Sequence, residues 1–173
     1  MRTFISIDIS EKIKKEILKI QEKLPEFAGK KTEFENLHLT LKFLGEIDDE
    51  KAKKVIEKLK EIKLKSFETK IDSIGVFSEN FIRIVWLHLT NCEELQKEID
   101  EKLKDLFEKE ERFMGHLTIA RVKKINDKKK FLQELKKIKI PEINFVVKKF
   151  NLKKSMLTPD GPVYEDLEVC ELE

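Results

Sequence analysis

The sequence predicts an α+β protein whose plan is used twice. Three observations carry this reading. The hydrophobic period switches between about 2 and about 3.6 along the whole chain. The tripeptide His-Leu-Thr opens an extended segment in each half, at His38 and at His116. Each of those segments is followed by an amphipathic helix and then by two further extended segments. Repetition of that order suggests an old duplication into two similar lobes, and hairpin-like strand pairs within each half point to antiparallel pairing.

In chain order, residues 2–8 alternate as a strand, and Ser10 caps a helix whose Ile13, Ile17, Ile20 and Leu24 share a face until Pro25 ends it. Residues 37–44 form a half-buried strand in which Leu37, Leu39, Leu41 and Phe43 alternate with His38, Thr40 and Lys42. A second helix follows over residues 49–62, with Ala52, Val55, Ile56 and Leu59 inward. Strands follow over 67–76 and 81–89, and a third helix runs over 92–107 with Asn91 as its cap. The second half gives a strand over 116–122, a helix over 128–138, and strands over 143–152 and 163–172 joined by a turn at Pro159-Asp-Gly-Pro162.

With 173 residues the chain is long enough for one domain with a real core. Charged residues make up 40% of it, but 36 basic against 34 acidic groups leave a net charge of only +2, so bulk charge names no partner. Locally the charge is uneven. Residues 93–111 carry a net −5, whereas residues 121–154 carry 13 bases and 3 acids. A basic stretch of that kind can track a polyanion, and it can equally be a set of solvated helix and strand faces. No apolar run reaches the ~20 residues of a membrane span, and the opening MRTFISIDIS lacks a basic segment before a long apolar one. A cytoplasmic protein is expected. Cys92 and Cys170 have neither CxxC spacing nor a matched histidine pair, so reduced thiols are expected and a zinc site is not.

All three histidines of the chain lie in the same tripeptide, His38-Leu-Thr40, His88-Leu-Thr90 and His116-Leu-Thr118. On a strand, residues i and i+2 share a face about 6 to 7 Å apart, so each tripeptide offers an imidazole and a hydroxyl side by side over a buried leucine. Two such strands across a cleft would surround one phosphorus atom. An imidazole titrates near neutral pH, so one can be neutral and the other protonated at the same time. His88 differs from the others. It extends the apolar stripe of Ile82, Ile84 and Trp86 at a strand end and reads as packed or helix-flanking. No phosphate-cradling glycine loop and no dense carboxylate set accompanies the motifs, which removes support for nucleotide-triphosphate chemistry and for a two-metal mechanism.

At this point the sequence resembles the RNA 2′,3′-cyclic phosphodiesterases of the 2′,5′ RNA ligase family, within the two-histidine phosphoesterase superfamily. The resemblance spans nearly the whole chain. It rests on Arg2-Thr-Phe-Ile, His38-Leu-Thr-Leu-Lys-Phe-Leu-Gly45, Arg83-Ile-Val-Trp86, His116-Leu-Thr-Ile-Ala-Arg121 and Ser155-Met-Leu-Thr-Pro-Asp-Gly-Pro-Val-Tyr164. The resemblance implies residues 1–173 as one two-lobed domain, with antiparallel sheets and outer helices around a central cleft. It implies catalysis by His38 and His116, phosphate contacts from Thr40 and Thr118, and no cofactor or metal. The expected substrates are RNA ends bearing a 2′,3′-cyclic phosphate, tRNA fragments among them, opened by a monomeric protein to a 2′-phosphate without ATP, with 2′,5′ ligation as the related reaction.

Other contacts follow less directly. Arg121 is favoured by its place in the motif, yet strict alternation puts it on the face opposite His116, so either a bend or strand end brings it to the site or it serves in a surface ion pair. Lys42 shares a face with His38 and Thr40, where it either meets RNA phosphate or stays a solvated lysine. Phe4 and Tyr164 are expected to include a base-stacking platform, while Phe43 is expected in the core. Ser155 lies in the last motif without an assigned role. The two strand settings are too alike to separate acid from base. A competing reading is a module that holds a nucleotide or RNA end without turnover, against which both intact His-x-Thr motifs argue.

Overall fold

A computed structural model describes all 173 residues. Its elements are β1 (Arg2–Asp8), α1 (Glu11–Glu22), β2 (Ala28–Lys31), a single 3₁₀ turn (Phe34–Asn36), β3 (His38–Glu46), α2 (Asp49–Leu59), β4 (Phe67–Val76), β5 (Ile84–Leu89), α3 (Glu93–Leu103), β6 (His116–Lys124), α4 (Lys128–Lys137), β7 (Ile143–Val147), β8 (Lys149–Thr158) and β9 (Gly161–Glu171). The α+β expectation holds. No helix is long and apolar enough to cross a membrane.

Every strand pairing is antiparallel, in the order β7-β4-β5-β6-β3-β1-β8-β9, with β2 added to β6. The order divides in the middle, because β3 and β6 are joined at one register pair, Leu39 and Leu117. On either side of that seam lies a lobe, one made of β6, β5, β4 and β7, the other of β3, β1, β8 and β9. Helices cover one face of the curled sheet. Ile13, Ile17 and Ile20 of α1, Val55 and Leu59 of α2, Leu95 and Ile99 of α3, and Phe131 and Leu135 of α4 bury themselves with Ile5, Ile7, Leu39, Leu41, Leu87, Leu117 and Ile119 from the strands. The other face of β3 and β6 carries the polar partners in the alternation and forms the cleft.

Several boundaries differ from the sequence reading. The duplication does not map onto the lobes. After β3 the chain crosses through α2 to β4 and β5 in the other lobe, and after β7 it returns as β8 and β9 beside β1. The expected single strand over 143–152 is therefore two, since Val147 ends a strand paired with β4 and Lys149 begins one paired with β9 and then β1. β2 was not legible, because its four residues are all exposed and include two lysines. Asn91 does not cap α3. It takes a left-handed conformation (φ 63°) and its amide donates to Glu68 O, leaving Cys92 at the helix start.

Candidate active site

The site begins with two strands that bury their residues in the same sequence. Along both β3 and β6 the order is half-buried histidine, buried leucine, half-buried threonine, then two buried residues in succession, then an exposed one. Two consecutive inward residues mean a β-bulge, which inserts one extra residue and reverses the faces that follow. In β3 the ladder to β1 passes from Thr40 to Lys42 as Ser6 passes to Ile5, leaving Leu41 over. In β6 the ladder to β5 passes from Thr118 to Ala120 as Trp86 passes to Val85, leaving Ile119 over.

This shift decides the residues beyond each motif. Arg121, which alternation alone places behind the sheet, emerges on the face of His116 and Thr118. Lys42 goes the other way, and its expected role at the cleft is corrected. It is 3% exposed on the core side, where Nζ donates to Asp100 Oδ1 at 2.6 Å and to Glu108 O at 2.7 Å. Phe43 is likewise corrected. It is 66% exposed on the cleft side, in the position of β3 that Arg121 holds in β6. Phe4, expected as a stacking platform, is 4% exposed and lies beneath the histidine, its ring centroid 5.1 Å from His38 and 5.0 Å from Tyr164.

Both motif histidines are held in the same way. Nδ1 of His38 lies 2.6 Å from Asn36 O, and Nδ1 of His116 lies 2.9 Å from Met114 O, the carbonyl two residues upstream in each case. A carbonyl can only accept, so Nδ1 carries the proton and the Nε2 lone pair of each neutral ring is left for chemistry. At His38 that Nε2 is 3.0 Å from Thr40 Oγ1. Aromatic edges fix the rings: Tyr164 meets His38 at 5.2 Å and Phe77 meets His116 at 4.9 Å, both T-shaped. Gly115 is required just before His116, because a Cβ there would come 2.6 Å from Leu89 O at the end of β5.

Burial lowers the His38 pKa below the usual imidazole value. Lys153 and Arg121 add to the lowering, while the bond to Asn36 O and the charge of Asp8 oppose it. Beside His38, on the same face of the sheet, lies a polar group that the sequence alone does not reveal. Lys153 donates to Asp166 Oδ1 at 2.6 Å and lies 3.1 Å from Asp8 Oδ1, and Asn151 Nδ2 donates to the same two carboxylates at 3.2 and 2.9 Å. Burial works against the Lys153 charge, but the two carboxylates more than offset it and raise its pKa. The four residues come from β1, β8 and β9, so only the register of three strands unites them. Burial also raises the Tyr164 pKa, which keeps its phenol protonated.

His88 ends β5 as expected, yet it is not packed into the apolar stripe. It sits directly opposite His116 in the β5–β6 ladder, and its Nδ1 is 2.6 Å from Asp72 Oδ1. It thus stands to His116 as Asp8 stands to His38. Ser155 faces Arg2 across β1–β8 and Tyr164 across β8–β9, a position on the cleft face of the β8–β9 hairpin. Both cysteines are free and buried, and burial pushes the Cys92 thiol up to about 12 and the Cys170 thiol to about 11, which leaves neither as a nucleophile at neutral pH. The lysines of the basic stretch divide: Lys128, Lys129, Lys130, Lys136 and Lys137 are exposed on α4, whereas Lys153 is turned into the cleft-side group.

The sequence model of the LigT-like phosphoesterases matches the chain in two consecutive segments, residues 7–86 and 89–164. The chain belongs to that family. Its two matched segments each hold one of the paired motifs, His38-x-Thr40 in the first and His116-x-Thr118 in the second. Among its relatives, a protein of Methanocaldococcus jannaschii named RNA 2′,3′-cyclic phosphodiesterase is 45% identical over 95% of this chain and 97% of its own length. One of the same name from Thermotoga maritima is 38% identical over 100% and 96%. The LigT-like fold is shared with a protein of Thermus thermophilus (TM-score 0.82, 24% identity, 99% and 97% covered) and with Escherichia coli LigT crystallised with phosphate (TM-score 0.76, 25% identity, 99% and 96% covered).

Proposed function

We propose that this LigT-like phosphoesterase opens RNA 2′,3′-cyclic phosphate ends to a 2′-phosphate, with His38 and His116 as the acid and base. The observation that carries this is the matched pair of imidazoles on one face, each held by its Nδ1 and each followed two residues on by a threonine. The relatives named RNA 2′,3′-cyclic phosphodiesterase, alike over nearly the full chain, support the same substrate.

In the reaction the neutral imidazole takes a proton from water at Nε2 as the water oxygen attacks phosphorus. The bond from phosphorus to the 3′ oxygen breaks in line, and the protonated imidazole gives its proton to that oxygen. One 2′-phosphomonoester and one 3′ hydroxyl result. Thr40 and Thr118 donate to the non-bridging oxygens, and the Arg121 guanidinium offsets the charge that grows there. Ring strain in the five-membered phosphate supplies the driving force, so neither ATP nor a metal is called on. A ribose 5′ hydroxyl in place of water would give a 2′,5′ phosphodiester at the same site. The natural substrates on this reading are RNA ends such as those of cut tRNA, met by a monomer in the cytoplasm.

The test is an oligoribonucleotide ending in a 2′,3′-cyclic phosphate, incubated with chelator and without ATP. Wild type and His88→Ala are expected to give a 2′-phosphate, while His38→Ala and His116→Ala each lose about 10²–10⁴-fold, the usual worth of a positioned acid or base. Tight binding of that end by a wild-type protein without turnover would make the chain a binding module instead. A 3′-phosphate product would refute the assigned leaving group.

A further inference from the structure

β6 changes neighbours along one of its edges. β5 occupies the other edge from His116 to Arg121, so β3 and β2 share the remaining one, β3 meeting it at Leu117 and β2 from Ala120 to Lys124. Between these partners lie Thr118 and Ile119, the last residue of the motif and the bulged residue. Their carbonyls are met by two side chains and one amide from outside the ladder. Thr32 Oγ1 donates to Thr118 O at 2.9 Å, and Thr32 N donates to Ile119 O at 2.9 Å. Gln21 Nε2 donates to Ile119 O at 2.9 Å and to Thr32 O at 3.0 Å.

Gln21 is 1% exposed, on the core face of α1 among Ile13, Ile17 and Ile20. A glutamine in that place is costly unless its amide is used, and here it is used where the strand changes face directly after the motif. The other half is built alike. α3, which precedes β6, reaches the bulge of β3 through Asp100 and Lys42, while α1, which precedes β3, reaches the bulge of β6 through Gln21.

We propose that Gln21 and Thr32 are positioning residues of the active site, holding the Ile119 bulge in the form that aims Arg121 at the phosphate. Without the bulge, alternation would return Arg121 to the core side and bring Ala120 to the cleft. The inference rests on the reading of Arg121 as a phosphate contact, and two readouts separate them.

The first readout is a double-mutant cycle on the cyclic-phosphate oligoribonucleotide, with thermal melting to confirm folding. Arg121→Ala is expected to lower kcat about 10²-fold, as does loss of one charge-stabilising donor. Gln21→Met is expected to lower kcat about tenfold in the wild-type background and less than about twofold beside Arg121→Ala, the non-additivity of residues acting through one another. Thr32→Val, which keeps shape and removes the hydroxyl, serves in the same cycle should Gln21→Met not fold. The second readout is the His38 titration followed by NMR. Removing the Arg121 charge raises the His38 pKa, and Gln21→Met is expected to raise it in the same direction. An equal loss in both backgrounds, or full activity with an unmoved His38, overturns the positioning role. Full activity of Arg121→Ala with a moved His38 overturns instead the reading of Arg121 as a phosphate contact.

Discussion

His38 and His116 occupy equivalent positions in equivalent strands, and what separates them is what each strand is laid against. At His38 burial beside Phe4 and Tyr164, and the positive charges of Lys153 and Arg121, disfavour the imidazolium. By NMR its ring is expected to titrate below the ordinary value of about 6.5 for free imidazole, and Arg121→Ala to move it upward. A titration at or above the free value would remove this account. The linkage has a definite sign. Because the folded ring resists the proton that the unfolded ring accepts, its contribution to stability is present above the unfolded pKa and is lost as pH falls through the folded one. The histidines and threonines follow from local sequence; the Nδ1 tethers do not, since Asn36 O and Met114 O belong to the segments that precede β3 and β6 rather than to the strands. Lys42 and Phe43 were misplaced for a reason equally physical. Period-2 alternation holds only while both strands advance together, and one surplus residue exchanges inside for outside.

Among elements, the two bulges are the parts that turn a repeated strand into a site. They place Arg121 on one wall and Phe43 on the other, giving one wall a cation and the other an exposed ring. The β3 bulge carries Lys42 into the core, where Asp100 also accepts from Gln96 Nε2 and Glu110 N, both at 2.9 Å. That group joins β3 to α3 and to the segment that leads into His116. Lys42→Met strands the Asp100 carboxylate away from water, and urea unfolding is expected to show a loss of about 3–5 kcal/mol, as for other broken buried pairs. Adding Asp100→Asn is expected to recover a large part of it, because the neutral amide oxygen still accepts from Glu110 N. A double variant no more stable than the single one would mean that the pair's charge is not what matters. The helices themselves were legible from their apolar spacing and, for α1, from its cap at Ser10, while the caps at Asp48 and Asp127 emerged with the structure. The bulges were not, because nothing in Leu41-Lys42 or Ile119-Ala120 departs from ordinary strand composition.

At the scale of the whole molecule the two halves are interleaved. Each half contributes strands to both lobes, and the seam between the lobes is the single pair Leu39 and Leu117. Fragments 1–82 and 83–173 are therefore expected to lack amide dispersion when expressed separately, since each would leave long unpaired strand edges, and to recover it with activity when mixed. A fragment that folds alone would refute the interleaving as a condition of stability. Sequence alone determined the period of every long element, the doubling, the family resemblance and the two His-x-Thr pairs, all of which depend on residues close together in the chain. Tertiary structure decided which lobe each strand joins, which side of the sheet Lys42, Phe43 and Arg121 face, and that Asp8, Asn151, Lys153 and Asp166 meet beside His38. These depend on register between strands up to 158 residues apart, as Asp8 and Asp166 are, and register is set by packing and bulges rather than by the order of residues in any one strand.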